Sequence, residues 1–181
     1  MSSSDDKNLF ALLGKFDREQ KMPPVESWDP KIVSNIDIVI DSQGRWFHEG
    51  GHFDRQDLAR MFASILRREG DDYYLVTPAE KLKIEVKDVP FSIVLMKSEI
   101  IDSRQQLTFI TSLGDEVVAG NKNKLEFRAN EKGDQIPYLE IRNGLWGKLN
   151  QSTYYELMNY AEENEGGYSV YSAGESFKIS G

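Results

Sequence analysis

This sequence predicts an α+β fold in two domains, and three observations carry that reading. A Gly-x-Trp turn signal occurs at Gly44-Arg45-Trp46 and again, 100 positions on, at Gly144-Leu145-Trp146. A stripe of apolar residues at helical spacing follows each copy. Tyr73–Ile84 then aligns without a gap on Tyr168–Ile179, at an offset of 95. Order and type agree through the whole unit, so the chain reads as a β-β-α-β-β unit present twice, in mostly antiparallel sheets.

The elements follow in chain order. Leu9, Leu12, Leu13 and Phe16 have helical spacing, and Ser4, Asp5 and Asp6 suit the cap and the first turn. Residues 1–22 are therefore read as an appended helix that covers an edge of the body, the alternative being a docking helix for a partner. Pro23-Pro24 and Asp29-Pro30 end it. The first domain is set at 23–88. Ile36–Ile40 alternates as a strand, Ser42-Gln43-Gly44 turns it, and Trp46 opens the return strand. Leu58, Met61, Phe62, Ile65 and Leu66 then draw a helix, with Asp54 as N-cap, Arg67 and Arg68 in the last turn and Gly70 as the stop. Leu58, Phe62 and Ile65 are expected in the core, as is Leu157 of the second copy.

The second domain, 89–181, is the larger. Phe91–Met96, Leu107–Thr111 and Leu125–Phe127 are rich in strand formers. Tyr138–Ile141 and Asn143-Gly144 repeat the hairpin. Tyr154, Leu157, Met158 and Ala161 repeat the helical stripe, with Thr153 and Glu156 spaced as a capping box and Gly166-Gly167 as the stop.

Composition narrows the function. The chain has 181 residues, 39% apolar and 29% charged, as in a globular protein, and a net charge of −8. Each half, divided at Pro90, carries −4, so no basic pole exists to neutralise a duplex, although a single nucleotide is not excluded. The absence of Cys removes disulfides, thiol catalysis and thiolate metal sites. No run approaches the ~20 apolar residues of a membrane span, and nothing reads as a signal peptide, which makes the cytoplasm the expected location. His48-x-x-x-His52 has the spacing of two zinc ligands on a helix, but Gly50-Gly51 between them makes the segment a loop. No metal site is expected. Phosphate-cradling glycine motifs and the Gly-x-Ser-x-Gly elbow are also missing, so no cofactor is expected and a binding protein is favoured over an enzyme.

A set of motifs points to a family. Gly44-x-Trp46-x-His48-x-Gly50, Arg55, Leu75-Val76-Thr77-Pro78-x-Glu80-Lys81 and Val86-x-Asp88-x-Pro90-Phe91 resemble the bacterial domain-of-unknown-function 1285 family. Thr111-Ser112-x-x-Asp115, Pro137-Tyr138-Leu139-x-Ile141-Arg142-x-Gly144-Leu145 and Tyr154-Tyr155-Glu156-Leu157 continue the match from about Pro24 to the C-terminus. Ser112 departs from an expected asparagine, and Gly51-His52-Phe53 from a proline-bearing turn. The resemblance implies a duplicated α+β core whose C-terminal domain is pleckstrin-homology-like. It further implies a ligand, nucleotide-based in type, at the domain interface, and a role in signalling or stress response. No activity comes with it.

Function is expected where the copies differ. Trp46 and Trp146 recur and are read as packing residues. Arg55, Lys81 and Arg142 are the cations expected to meet an anion, because guanidinium and ammonium groups suit phosphate and carboxylate. His48 and Tyr138 would orient the ligand, and Thr77 and Thr111 would donate hydroxyls. The rival reading is a protein-interaction module engaging a signalling partner on a strand edge or helix face.

Overall fold

In a computed structural model the structure describes residues 22–179, so the helix expected over Leu9–Phe16 lies outside the described residues. Described residues 22–38 and 48–85 form one compact unit, and 39–47 with 86–179 form another. The fold is α+β, with two domains.

The first copy begins behind a 3-10 turn, Val25–Ser27. Strand β1, Ile32–Ile40, buries Ile38 and Ile40, the inward positions of its alternating pattern. Next come β2, Trp46–His48, β3, Gly51–His52, and helix α1, Gln56–Ser64. Strands β4, Leu66–Glu69, β5, Asp72–Val76, and β6, Glu80–Val86, complete a six-stranded sheet of order β3-β2-β1-β6-β5-β4. Gly44 sits at φ 75°, and a Cβ there would lie 2.9 Å from the Ser92 backbone nitrogen, so only glycine lets that turn approach so closely.

Helix α1 is shorter than its stripe suggests. Arg55, not Asp54, occupies the N-cap position, and the helix stops at Ser64. Leu66, Arg67 and Arg68 are strand residues opposite Leu75, Tyr74 and Tyr73, and Gly70 serves the turn between β4 and β5 at φ 63°. The reason is burial. Ile65, Leu66 and Arg67 are consecutive and all buried, which one face of a helix cannot provide but a strand covered on both sides can. Phe62 and Ile65 are in the core as expected, while Leu58 is only half-buried.

The second unit opens with β7, Phe91–Ile101, and β8, Arg104–Thr111. It continues through β9, Glu116–Val118, β10, Leu125–Ala129, β11, Gln135–Arg142, and β12, Leu145–Leu149. These form a sheet of order β10-β11-β12-β7-β8-β9, antiparallel except that β12 runs parallel to β7. Helix α2, Gln151–Met158, follows β12. Its cap is Asn150, whose Oδ1 accepts the Thr153 N–H at 2.9 Å, so the expected Thr153–Glu156 box does not form. The helix ends well before Gly166, because β13, Glu162–Asn164, pairs with β14, Gly167–Ser172, which in turn pairs with β15, Glu175–Ile179. Such curled, mostly antiparallel sheets are compatible with a pleckstrin-homology-like second domain.

The duplication extends to the residue pairing. Tyr73 faces Ile84 as Tyr168 faces Ile179, and Leu75 faces Leu82 as Val170 faces Phe177. The strand after each helix, which the sequence reading did not anticipate, keeps the same offset: Arg68 faces Tyr73 and Glu163 faces Tyr168. Each copy of the repeat therefore holds a hairpin, a helix and a three-stranded meander. The spacing between hairpin and helix differs, since the first copy carries β3 and its loop there. The sheets join differently too: β6 neighbours β1 in the first copy, whereas the second meander is a sheet of its own.

Phe62 is 0% exposed and its ring lies 5.7 Å from that of Phe53. Truncation to Ala should cost about 3–5 kcal/mol, as for other buried aromatics. Urea unfolding of Phe62→Ala measures it; a loss under about 1 kcal/mol would place the ring at the surface.

Candidate functional site

The sequence-derived candidates divide between the two units. In the first, His48 is half-buried on β2. Arg55 grips Asp57 with Nε and Nη2, at 3.2 and 2.7 Å, and this exposed pair holds its guanidinium above the ordinary value. Thr77 is buried and closes its own turn: its hydroxyl donates to the Glu80 carbonyl and accepts the Glu80 N–H, both at 3.2 Å. Lys81 places Nζ 2.8 and 2.9 Å from the two Glu69 oxygens and 4.6 Å from the Tyr74 ring centre. Arg67 meets the same carboxylate at 3.2 Å and donates to the Val25 and Trp28 carbonyls. The Lys81 hydrogen bond, then Arg67, hold Glu69 below the usual carboxylate range against the cost of burial.

In the second unit one irregularity decides which face each candidate occupies. Tyr138 faces Lys148 and Glu140 faces Trp146, but Arg142 faces Leu145, because Ile141 is an extra residue in β11. The bulge moves Arg142 to the opposite face from Tyr138, beside Leu145 and Phe91. Its guanidinium lies 5.0 Å from the Phe91 ring centre and 3.6 Å from Asp115 Oδ1. The side chain is only 22% exposed, and burial pulls its pKa down while Asp115 resists. The other Asp115 oxygen accepts from the Thr111 hydroxyl at 2.9 Å. Thr111 and Arg142 are thus the two candidates the structure brings together, through Asp115.

Tyr138 belongs to another cluster. Its hydroxyl donates to Asp88 Oδ2 at 2.9 Å, and Lys148 Nζ lies 3.7 Å from the same oxygen. Arg128 stacks over both the Tyr138 and Trp146 rings, at 4.3 and 4.7 Å. Trp46 is buried, as a packing role requires.

One residue outside those candidates stands apart. Arg45, Arg55, Arg67, Arg68, Arg128 and Arg142 each meet a carboxylate within 4.0 Å. Arg104, the first residue of β8, has no ion pair or hydrogen bond from its side chain among the described residues. It lines a concavity of about 390 Å³ with Ile101, Asp102, Gln105, Gln106 and Ala173. Gln105 is fixed there: its side-chain amide donates to the Tyr171 carbonyl at 2.8 Å, and its backbone carbonyl accepts the Ala173 N–H at 2.9 Å. Gly174, at φ 81°, lets the guanidinium in, since a Cβ there would sit 2.9 Å from Arg104 Nη1. The first copy has Ala79 at the matching position. That contrast was the one available signal, and it names the turn rather than the arginine, which lies outside the repeat.

Fold and site together define a duplicated α+β protein in which most cations among the described residues are already committed to carboxylates. The chain belongs to the DUF1285 family: residues 23–89 match the N-terminal domain of that family of unknown function, and 90–179 match its C-terminal domain. It is similar to a DUF1285 family protein from Silicibacter pomeroyi DSS-3, with 35% identity, a TM-score of 0.87, and 95% of this chain and 94% of that one covered. A second DUF1285 family protein, from Shewanella baltica OS155, is 31% identical with a TM-score of 0.53, covering 67% of this chain and 90% of that one. No curated protein matches. Among the described residues no helix is long and apolar enough to cross a membrane.

Burial, then the hydrogen bond to Asp88, pushes the Tyr138 hydroxyl up to about 12. The folded state thus holds this proton more tightly than the unfolded chain, whose tyrosines titrate near 10. Stability from this group is complete below about pH 10 and is lost as pH rises toward 12. Ultraviolet titration of the phenolates should show a late step that Tyr138→Phe removes; an unchanged titration curve would contradict the assignment.

Proposed function

We propose that this protein is a non-enzymatic binding protein for a small anion, nucleotides included, with the role in signalling or stress response that the family resemblance implies. The observation that supports this reading best is Arg104, a cation without a carboxylate partner at the wall of a concavity that also offers two amides. In a chain of net charge −8 an anion is repelled at long range, so a local guanidinium must supply the attraction. The concavity falls in the usual size range of small-molecule sites. Its lining holds no His or Lys, which favours binding over proton transfer. Arg142, half-buried beside Asp115, is the alternative cation for the same kind of ligand.

A second reading has its own support. Ile100 is 71% exposed and Ile101 44%, at the tip of the β7–β8 hairpin, as in a surface that meets a partner protein.

Thermal-shift measurements with phosphate, citrate and adenosine monophosphate test the proposal, because a ligand of the native state raises its melting temperature. Arg104→Ala should weaken binding of whichever probe succeeds by about 1.5–3 kcal/mol, the scale of a charged hydrogen bond, with the fold intact. Lys there should recover part of the loss. Loss of binding in Arg142→Ala alone would move the site to Asp115 and Thr111. Binding unaffected by either substitution would reject both.

A further inference from the structure

We infer that the ligand of the Arg104 concavity is a zwitterion, specifically a free α-amino acid with an aliphatic side chain; this rests on the anion-binding reading and narrows it. The concavity presents both signs of charge. Arg104 and Asp102 line the same wall, and among the described residues neither side chain has an ion pair or hydrogen bond, to the other or to anything else. A carboxylate suits the planar fork of Arg104, and an ammonium suits Asp102.

One of the two charged residues lies in a tight turn and the other directly follows it. Ile101 pairs with Arg104 across the hairpin, so Asp102 and Ser103 form a two-residue turn, at φ 51° and 63°. The apolar stem of Arg104 runs beside its cross-strand neighbour Ile101, and its head meets Gly174. In the same lining, Ile101 and Ala173 offer apolar surface to a short hydrocarbon side chain, and Gln105 and Gln106 offer amides.

Long-range electrostatics favour the same class. With a net charge of −8 the protein repels a dianion, whereas a zwitterion has no net charge and feels only the local pair. A pure anion would also bring its charge toward Asp102. An amino acid turns that carboxylate from an obstacle into a contact.

Saturation-transfer NMR on the full chain tests this with three probes: L-leucine, N-acetyl-L-leucine, which lacks the ammonium, and adenosine monophosphate. L-leucine should bind, N-acetyl-L-leucine at least tenfold more weakly, and Arg104→Ala should abolish the L-leucine signal. Asp102→Asn, which keeps a residue tolerant of the left-handed turn, should remove the discrimination between the two leucine probes. Equal binding of both leucine probes to the wild type, or Arg104-dependent binding of adenosine monophosphate alone, would overturn the zwitterion while leaving an anion site in place. No Arg104-dependent binding of any probe would overturn both.

Discussion

The hydroxyl of Ser172 fixes the second unit's geometry. It is fully buried, donates to the Ala119 carbonyl at 2.6 Å and accepts the Leu107 N–H at 2.9 Å. Those two bonds seat the β13-β14-β15 meander on β8. Without them two backbone groups would be buried unpaired, an expense of about 1–3 kcal/mol each. The consequence reaches the surface, because the turn after Ser172 is Ala173-Gly174, and that turn forms one wall of the Arg104 concavity. A buried hydroxyl with no ligand of its own therefore determines where an exposed arginine can act.

Much of this architecture was legible in the sequence, because a meander's register depends on local alternation and turn length. Tyr73–Ile84 and Tyr168–Ile179 share both, and their pairings coincide residue for residue. The segment after each helix was not legible. Leu66, Arg67 and Arg68 complete a helical stripe as well as they make a strand, and only the buried faces on both sides of β4 decide between the two. The same limit hid Asn150, whose capping role depends on where β12 ends and not on the Thr153–Glu156 spacing.

The candidate site was less legible, for a reason particular residues show. Selecting cations by type finds Arg55, Lys81 and Arg142, yet each faces a carboxylate: Asp57, Glu69 or Asp115. Two of those carboxylates lie within twelve positions of their partner, but nothing in the spacing distinguishes a pair from two neighbours. The bulge at Ile141 is also invisible in sequence, and it alone separates Arg142 from Tyr138 by a whole sheet. Arg104 carried no motif. Its distinction among the described arginines lies in the contacts it does not make, a property that exists only once the chain is folded.

The two copies show how such a property arises from a duplicated unit. Thr77 and Ser172 occupy matching positions, and both are buried hydroxyls. In the first copy the hydroxyl turns inward and closes the bend to Glu80. In the second it turns outward to Ala119 and Leu107, which leaves its own bend to be made by backbone conformation alone. Ala173 and Gly174 adopt that conformation at φ 50° and 81°. Glycine is what such a bend requires, and glycine is also what leaves room for a guanidinium 2.9 Å from the missing Cβ. The space beside Arg104 thus accompanies a change in hydroxyl partner, from its own turn in one copy to a neighbouring strand in the other. The register of the meander is the same in both copies, so the difference is confined to the turn and to the partner of that one hydroxyl.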